Sequence, residues 1–479
     1  MTQQRSKQLS EEQKEQITRI FNEEIEIIVS TYWKPLCEEN YILIEKKKFG
    51  RSKILDIPKI NEIKNGLKRD FNPMTIFVFL NLFGSQPKID GPFRNIEKGL
   101  IVLYLLRNGI SVNKAGREDK IIDYGSLRNI WHDFFDVTKE NVKKMQKKLK
   151  DWNFNMFSSQ KSRISYGLLK NPEGFESITL RLDGHNDALN YTDLTDIEYT
   201  KATGALNTYD WKSGKNGAST QTISDCTGIM IMKTKMIPAN EMTDGERFQD
   251  FKWNLIFGVP NGNRERIAVD GGYVLFINNL IEKLEPKGCG VSSNNFQGPI
   301  RKNPGHEFKR DEIDFNNRFS GFRGAIETQN YADLQNQIQY FKKGCTARTT
   351  SLSIRDLIQE LSFFLINMEK FIKLYGDHLE DLKDEKHLYW MQKEFDFPQL
   401  NVEIVTERVA DCYENNINSQ ESQISFLLMD EDGDDGDGDD GDGDEGDKND
   451  GEDGEDGEDG EDGEDGEDGE DRHNGCGRH

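Results

Sequence analysis

The stretch that most limits what this chain can fold into begins at Asp430. It reads DEDGDDGDGDDGDGDEGDKND and then seven consecutive Gly-Glu-Asp triplets over 451–471. Glycine in every third place and charge of one sign leave nothing to bury, so a solvated, disordered tail is expected over 429–479. No register supplies the alternating acids with glycine at the sixth position that a calcium-binding EF-hand loop needs. The packed fold must come from what precedes the tail. From residue 430 onward there are 27 acids and 3 bases; set against totals of 86 and 62, this leaves 59 of each elsewhere. The formal charge of -24 therefore belongs to the tail, and the body is neutral. Within the body, residues up to Lys170 carry 31 Lys and Arg against 21 Asp and Glu, whereas 171–429 carry 28 against 38. A basic front suits contact with a polyanion, and an acidic middle suits carboxylates that hold metal.

A chain of 479 residues, 35% hydrophobic and 31% charged, has room for two or three domains. The longest apolar stretch, 76–83 with Asn81 inside it, is too short to span a bilayer, and MTQQRSKQLSEEQKEQ has no apolar signal core. No membrane role is expected. Cysteines at 37, 226, 289, 345, 412 and 476 form no zinc or redox spacing, which fits a reduced intracellular compartment. The basic run at 46–53 reads as a solvated loop or a nuclear signal.

Periodicity predicts a helix over 10–32, with Ser10 as its cap and Ile17, Ile20, Phe21, Ile25 and Ile28 on one face. Residues 73–150 read as a helical unit. Asn95 opens IEKGLIVLYLLRNG, and Gly109 closes it. A second helix from Ser126 puts Leu127, Ile130, Trp131 and Phe134 on one side and Arg128 and His132 on the other. A third, over 137–152, carries Lys139, Lys143, Lys144, Lys147, Lys148 and Lys150. Short helices with a basic flank fit a helix-turn-helix whose Arg128, Lys143, Lys144, Lys147 and Lys148 hold phosphates; a bundle with solvated lysines fits equally.

Beyond Lys170 the texture changes to strands. SITLRLDGH over 177–185, then STQTISDC and GIMIMKTKM around Thr227 and Gly228, predict a three-strand meander. A helix over 243–256, a buried strand over 265–270 and the helix YVLFINNLIEKL follow. The segment CGVSSNNFQGPIRKNPG reads as a loop, 311–341 as a long helical stretch and 352–375 as an amphipathic helix. Three antiparallel strands followed by a helix and a fourth strand open a ribonuclease-H-like fold. The expected class is thus α/β: a mixed-sheet ribonuclease-H-like core with a helical amino-terminal region and a disordered acidic tail. The divisions are a helical segment at 1–72, a helix-turn-helix-like region at 73–165, the nuclease core at 166–376, a helical extension at 377–428 and the tail.

Three acids stand out by position: Asp183 at the end of the first strand, Asp270 at the end of the fourth and Glu327 on the helix FRGAIET. Neighbouring first and fourth strands would gather Asp183 and Asp270. Gathered carboxylates repel unless divalent cations neutralise them, the arrangement used in two-metal phosphoryl transfer, and magnesium prefers oxygen ligands. The plain alternative is surface carboxylates and turn formers, since DG at 183–184 and DGG at 270–272 are ordinary turn signals. His185 beside Asp183 is a metal or water ligand, or a hydrogen-bonded strand-end residue. Arg323 lies one helical turn before Glu327, where it orients that carboxylate or meets a phosphate.

The run from about Ile96 to Tyr375 resembles the Harbinger-type DDE transposases and their domesticated nuclease relatives, members of the DDE endonuclease superfamily. The resemblance rests on LRLDGH, on AVDGGY, and on FNNRFSGFRGAIE with Phe315, Asn316, Arg323 and Glu327, in that order. Asp244 and Phe248 in TDGERF match an intervening element, and LIVLYLLRNGISV looks like the opening helix of the family's helix-turn-helix. The resemblance implies Asp183, Asp270 and Glu327 as catalytic metal ligands for Mg2+ or Mn2+. It also implies a DNA substrate with terminal inverted repeats, a separate DNA-binding partner protein and action in the nucleus, with a homo-oligomer as a further option. The chain departs from the pattern where His185, Asn186 and Asp187 follow the DG, which makes Asp187 a candidate substitute ligand. Trp211, Lys212 and Lys215, in the inserted GALNTYDWKSGKNG, are candidate DNA-backbone contacts or part of a solvated loop.

The expected function is a transposase-derived, metal-dependent DNA endonuclease. The alternative is a catalytically silent DNA- or protein-binding adaptor of the same fold. Lying in cis to a basic region, the tail can also compete with DNA, an effect that fades with salt. Equal DNA affinity of full-length and tail-truncated chains at low salt would refute that competition.

Overall fold

A computed structural model describes residues 9–39, 57–84, 95–119, 121–189, 209–210, 215–239, 241–259, 262–302, 305, 307–342 and 351–383. The acidic tail, the basic run at 46–53, Trp211 and Lys212 lie outside these residues, as does all but the start of the extension expected over 377–428.

Helix α1 (Glu11–Ile28) starts where expected. The Ser10 hydroxyl accepts the Gln13 amide at 3.2 Å while the Gln13 side chain accepts the Ser10 amide at 3.0 Å, so two amides that would otherwise be orphaned are satisfied reciprocally. The helix continues through a π-helical turn (Val29–Trp33) into α2 (Lys34–Glu39). Then come α3 (Ile57–Asp70), α4 (Pro73–Gly84), α5 (Asn95–Asn108), α6 (Tyr124–Phe135), α7 (Glu140–Asn155) and α8 (Gln160–Lys170). Gly109, at φ 61, closes α5 in the left-handed region that favours glycine. Helix α6 begins two residues before the expected Ser126, because Asp123 is the cap: its carboxylate accepts the Ser126 amide at 2.8 Å. A π-helical turn (Lys114–Glu118) separates α5 from α6, in place of the tight turn of a helix-turn-helix.

The fold is mixed α/β. Strands β1 (Leu180–Ala188), β2 (Tyr209–Asp210), β3 (Lys215–Asp225), β4 (Met230–Lys233), β5 (Ile237–Pro238), β6 (Ile267–Ala268) and β7 (Phe296–Gln297) form one sheet in the order β2-β3-β1-β6-β7, with β4 and β5 also on β3. β1 and β3 are antiparallel from Leu180↔Asp225 to Ala188↔Gly217. β3 and β4 form the expected hairpin, turning at Gly228 with φ 87. β1 pairs parallel with β6, and β6 parallel with β7.

Three expectations are corrected here. β1 does not end at Asp183: β3 is long enough to pair it as far as Ala188, so Asp183, Gly184 and His185 are strand residues and the DG is no turn. The helix expected over 243–256 is two helices, α9 (Asp244–Phe248) and α10 (Asn254–Phe257). The Trp253 indole donates at 2.8 Å to the Phe248 carbonyl, which a continuous helix would have used itself. The segment read as a loop before residue 300 supplies β7, reached through a 3-10 turn (Ser293–Asn295).

Helix α11 (Ile277–Leu284) follows a 3-10 turn, and α12 (Arg310–Ile326) leads through a π-helical segment (Glu327–Ala332) into α13 (Asp333–Gln337). Helix α14 (Leu352–Tyr375) has the predicted bounds but not the predicted single apolar face, being buried on nearly all sides from Arg355 to Met368. Its buried polar residues therefore need partners, and several find them on distant segments. Asp356 pairs with Lys233 and accepts the Met236 amide at 2.8 Å, while Asn153 donates to Glu360 at 2.9 Å. Asn367 brackets Met230, accepting its amide at 2.9 Å and donating to its carbonyl at 2.7 Å.

Two apolar layers sandwich the sheet. On one face Leu180, Leu182, Ile223, Ile267 and Val269 pack with α9, α10 and α11 through Phe248, Ile256, Phe257 and Leu280. On the other, Ala268 meets Phe319 and Phe322 of α12. A larger cluster joins α1 and α3–α7 to Tyr331, Leu334 and the length of α14. The division expected at 165/166 thus crosses no gap in the core: the helical region and the helices behind the sheet share one interior.

Candidate active site

Strand β1 has one apolar and one ionisable face, as period-two alternation dictates. Leu180 and Leu182 enter the core, while Arg181, Asp183, His185 and Asp187 face α12, the π-helical segment and α14. Charges taken out of water require partners, and each finds one on the covering helices. Arg181 donates to Gln329 at 2.8 Å, and Asp183 pairs with Arg323 at 3.2 Å. His185 stacks on Tyr331, with ring centroids 4.1 Å apart. Asp187 lies 3.1 Å from His185 and accepts from Gln359 at 3.2 Å.

The parallel register Leu180↔Ile267 and Arg181↔Ala268 carries Asp270 to the position on the neighbouring strand line opposite Asp183. Asp183 is buried, whereas Asp270 is exposed and folds back so that its carboxylate accepts the Gly271 amide at 2.6 Å. A third carboxylate, Asp244, stands at the start of α9: a Cβ built on Gly184 would lie 3.3 Å from its Oδ1 and 3.2 Å from the Tyr273 hydroxyl. That hydroxyl faces the β1 backbone at Gly184, as Asp244 does. Burial, then the charges of Asp244 and Asp183, then Tyr331 and Asp270 push its pKa far up, so the phenol keeps its proton.

Residues that sequence reasoning did not single out build this arrangement. Arg247 is fully buried and clamps α9 to the sheet: its guanidinium donates to the Ser219 hydroxyl, to the Ser219 carbonyl at 2.8 Å, to Thr234 at 2.8 Å and to the Lys235 carbonyl at 3.1 Å. Gln221 ties the Asp244 carbonyl (2.6 Å) to the Tyr273 hydroxyl (3.2 Å). Tyr331 is 2.7 Å from the Thr222 hydroxyl and 3.3 Å from the Asp183 carbonyl. Gln221 in STQTIS and Arg247 in TDGERFQD carry no local signal, because the partners that bury them are distant in sequence.

The expected site residues divide accordingly. Asp183 pairs with Arg323, Asp244 approaches the β1 backbone at Gly184, and Asp270 is exposed just past the end of the neighbouring strand. Glu327 opens the π-helical segment four residues after Arg323, and its side chain lies outside the described residues. Widened helical turns of this kind recur at functional sites. His185 is a mid-strand residue rather than a strand-end one. Asp187 is buried, with both oxygens engaged by His185 and Gln359, so it is committed to the interior. Burial raises its carboxyl, but the His185 hydrogen bond and charge, with Arg355 and Lys233, outweigh burial and hold it below the usual value. Arg128, Lys143, Lys144, Lys147 and Lys148 are exposed on α6 and α7, with the Lys148 ammonium 4.4 Å over the Trp152 ring. Lys215 begins β3, and its side chain lies outside the described residues.

Among the described residues no three His, Cys, Asp or Glu side chains are grouped closely enough to hold a metal ion, and no described helix is long and apolar enough to cross a membrane. The donor chemistry nonetheless suits a hard cation, because Asp183, Asp244 and Asp270 present only carboxylate oxygens. Comparison of the chain with family models, with curated proteins and with solved structures finds no match.

Proposed function

We propose that this protein is a metal-dependent DNA endonuclease of the transposase-derived kind, built on a ribonuclease-H-like core. The observation that supports the reading is the parallel β1–β6 register, whose continuation sets Asp270 opposite Asp183, with Asp244 and the Tyr273 hydroxyl against the β1 backbone at Gly184. The strand order β4-β3-β1-β6-β7, with two antiparallel and then two parallel pairings, supports it. Asp183, Asp270 and Glu327 would hold magnesium or manganese, with Asp244 flanking. The bound metal would supply an activated water and charge stabilisation of the departing oxygen. The chain itself contributes a protonated Tyr273, able to donate to a phosphate oxygen, and Arg323, whose guanidinium balances Asp183 until that charge is needed elsewhere. The exposed lysines of α7 and Arg128 of α6 offer a DNA-backbone surface.

The Arg323–Asp183 pair also favours a second reading. A carboxylate already neutralised by a guanidinium has less call for a metal, as in a domesticated adaptor that keeps the fold without turnover. Nicking of supercoiled plasmid in magnesium or manganese separates the two. Asp270 is exposed, so Asp270→Ala should leave the core intact. Metal-dependent nicking that this substitution abolishes is the expected result, and a folded wild type that binds DNA without nicking it, with or without a candidate partner protein, would establish the adaptor.

A further inference from the structure

On the ionisable face of β1, two residues before Asp183, lies a cleft of about 500 Å3 between α8, the start of β1 and α12. That volume is in the range of small-ligand sites, about 300–1,000 Å3. Lys170, Arg181 and Arg318 line it, and among the described residues no Asp or Glu does. Of the neighbouring acids, the Glu176 carboxylate accepts the Gly174 amide at 2.8 Å, and Glu173 accepts from Arg318 through its backbone carbonyl.

Arg181 is the notable member. It is 5% exposed, yet among the described residues no carboxylate stands within ion-pair reach of it. One terminal nitrogen donates to Gln329, and its Nε–H has no hydrogen-bond partner. The Cys226 thiol beside it supplies no counter-charge, because burial lifts its pKa to about 11. The guanidinium lies 4.4 Å over the Phe322 ring, which fixes its plane, and Phe322 stacks on Phe175. A buried, oriented guanidinium with a spare donor and no anion, flanked by two exposed cations, is a site built for a negatively charged group with several acceptor oxygens.

We propose that this cleft binds the phosphate of a nucleotide unit, either free or within a DNA strand, with Arg181 at its floor and Lys170 and Arg318 at its rim. The proposal stands apart from nuclease activity, since it concerns binding without metal. Calorimetry or fluorescence anisotropy in chelator would compare inorganic phosphate, a deoxynucleoside monophosphate and a short single-stranded oligodeoxynucleotide. Lys170→Gln with Arg318→Gln removes two exposed charges without touching the interior, and Arg181→Gln removes the floor. Each variant is expected to weaken binding by about tenfold or more, the worth of a charge-assisted hydrogen bond. Tighter binding of the oligodeoxynucleotide than of the monophosphate assigns the strand as ligand, and equal binding assigns the free nucleotide. Absence of binding by every probe, or binding that the exposed double variant leaves unchanged, would overturn the proposal even if Arg181→Gln failed to fold. A failed nuclease reading would appear instead as absent nicking, with this binding unaffected.

Discussion

Replacing Arg323 by Gln removes a cation that pairs with Asp183 at 3.2 Å, while the charges of Asp244 and Asp270 remain. Removing one partner of a fully buried ion pair costs about 3–5 kcal/mol. The two side chains keep 14% and 12% of their exposure, so solvent screens part of that and a loss of roughly 2–3 kcal/mol is expected for Arg323→Gln. Asp183→Asn combined with Arg323→Gln should recover much of it, because no buried charge is then left alone, giving a coupling of about 1–3 kcal/mol in a double-mutant cycle. Magnesium makes the test specific to the site. A cation bound to the folded state at a hundred times its Kd adds about 2.7 kcal/mol, and in Arg323→Gln it would supply the charge the arginine supplied. Urea unfolding of the wild type, both single variants and the double variant, with and without saturating magnesium, reads all of these terms. The expected pattern is a larger magnesium stabilisation in Arg323→Gln than in the wild type, and none once Asp183 is Asn. If the cycle showed no coupling and magnesium moved no midpoint, the acids would not form a cation site and the reasoning behind the proposed chemistry would fail.

Two further outcomes follow from the same geometry. Asp187 is held below the usual carboxylate pKa in the folded chain, so it contributes stability that is present above its unfolded value, about 3.9, and is lost as pH falls through the folded one. Asp187→Asn should lower the urea midpoint at neutral pH and flatten its decline in acid; an unchanged acid profile would mean that the His185 and Gln359 contacts carry no net stabilisation. Gly245 follows Asp244 in α9, and a Cβ there would overlap the Phe276 ring. Gly245→Ala should therefore cost about 1–3 kcal/mol as an overpacked contact, and it should depress nicking by more than a matched loss of stability explains, since Asp244 moves with α9. A thermal midpoint equal to the wild type would remove that contact from the account.

What the chain settles by itself is what local spacing can settle. Ser10 and Gln13 mark the start of α1, Gly109 the end of α5, and the 352–375 periodicity gives α14 its bounds, because caps and helical repeats act within a few residues. The same holds for the hairpin turning at Gly228 and for the charge division between tail, front and middle. Asp183 was legible as a candidate but misplaced: a DG pair signals a turn locally, and only nine residues of pairing with β3 hold it in mid-strand. Helix α14 looked amphipathic because Arg355, Asp356, Gln359, Glu360 and Asn367 are polar. Their burial depends on Lys233, Asn153, Met230 and Asp187, none of which is near them in sequence. The opposition of Asp183 and Asp270 rests on a parallel register between strands more than eighty residues apart, stated by Leu180↔Ile267 and Arg181↔Ala268. The clamp of Arg247 on Ser219, and the buried guanidinium of Arg181 whose Nε–H has no hydrogen-bond partner among the described residues, are likewise long-range facts. Periodicity and capping are encoded over a turn or two of chain, whereas register and charge compensation exist only once distant segments have packed, and it is the packed segments that make this site.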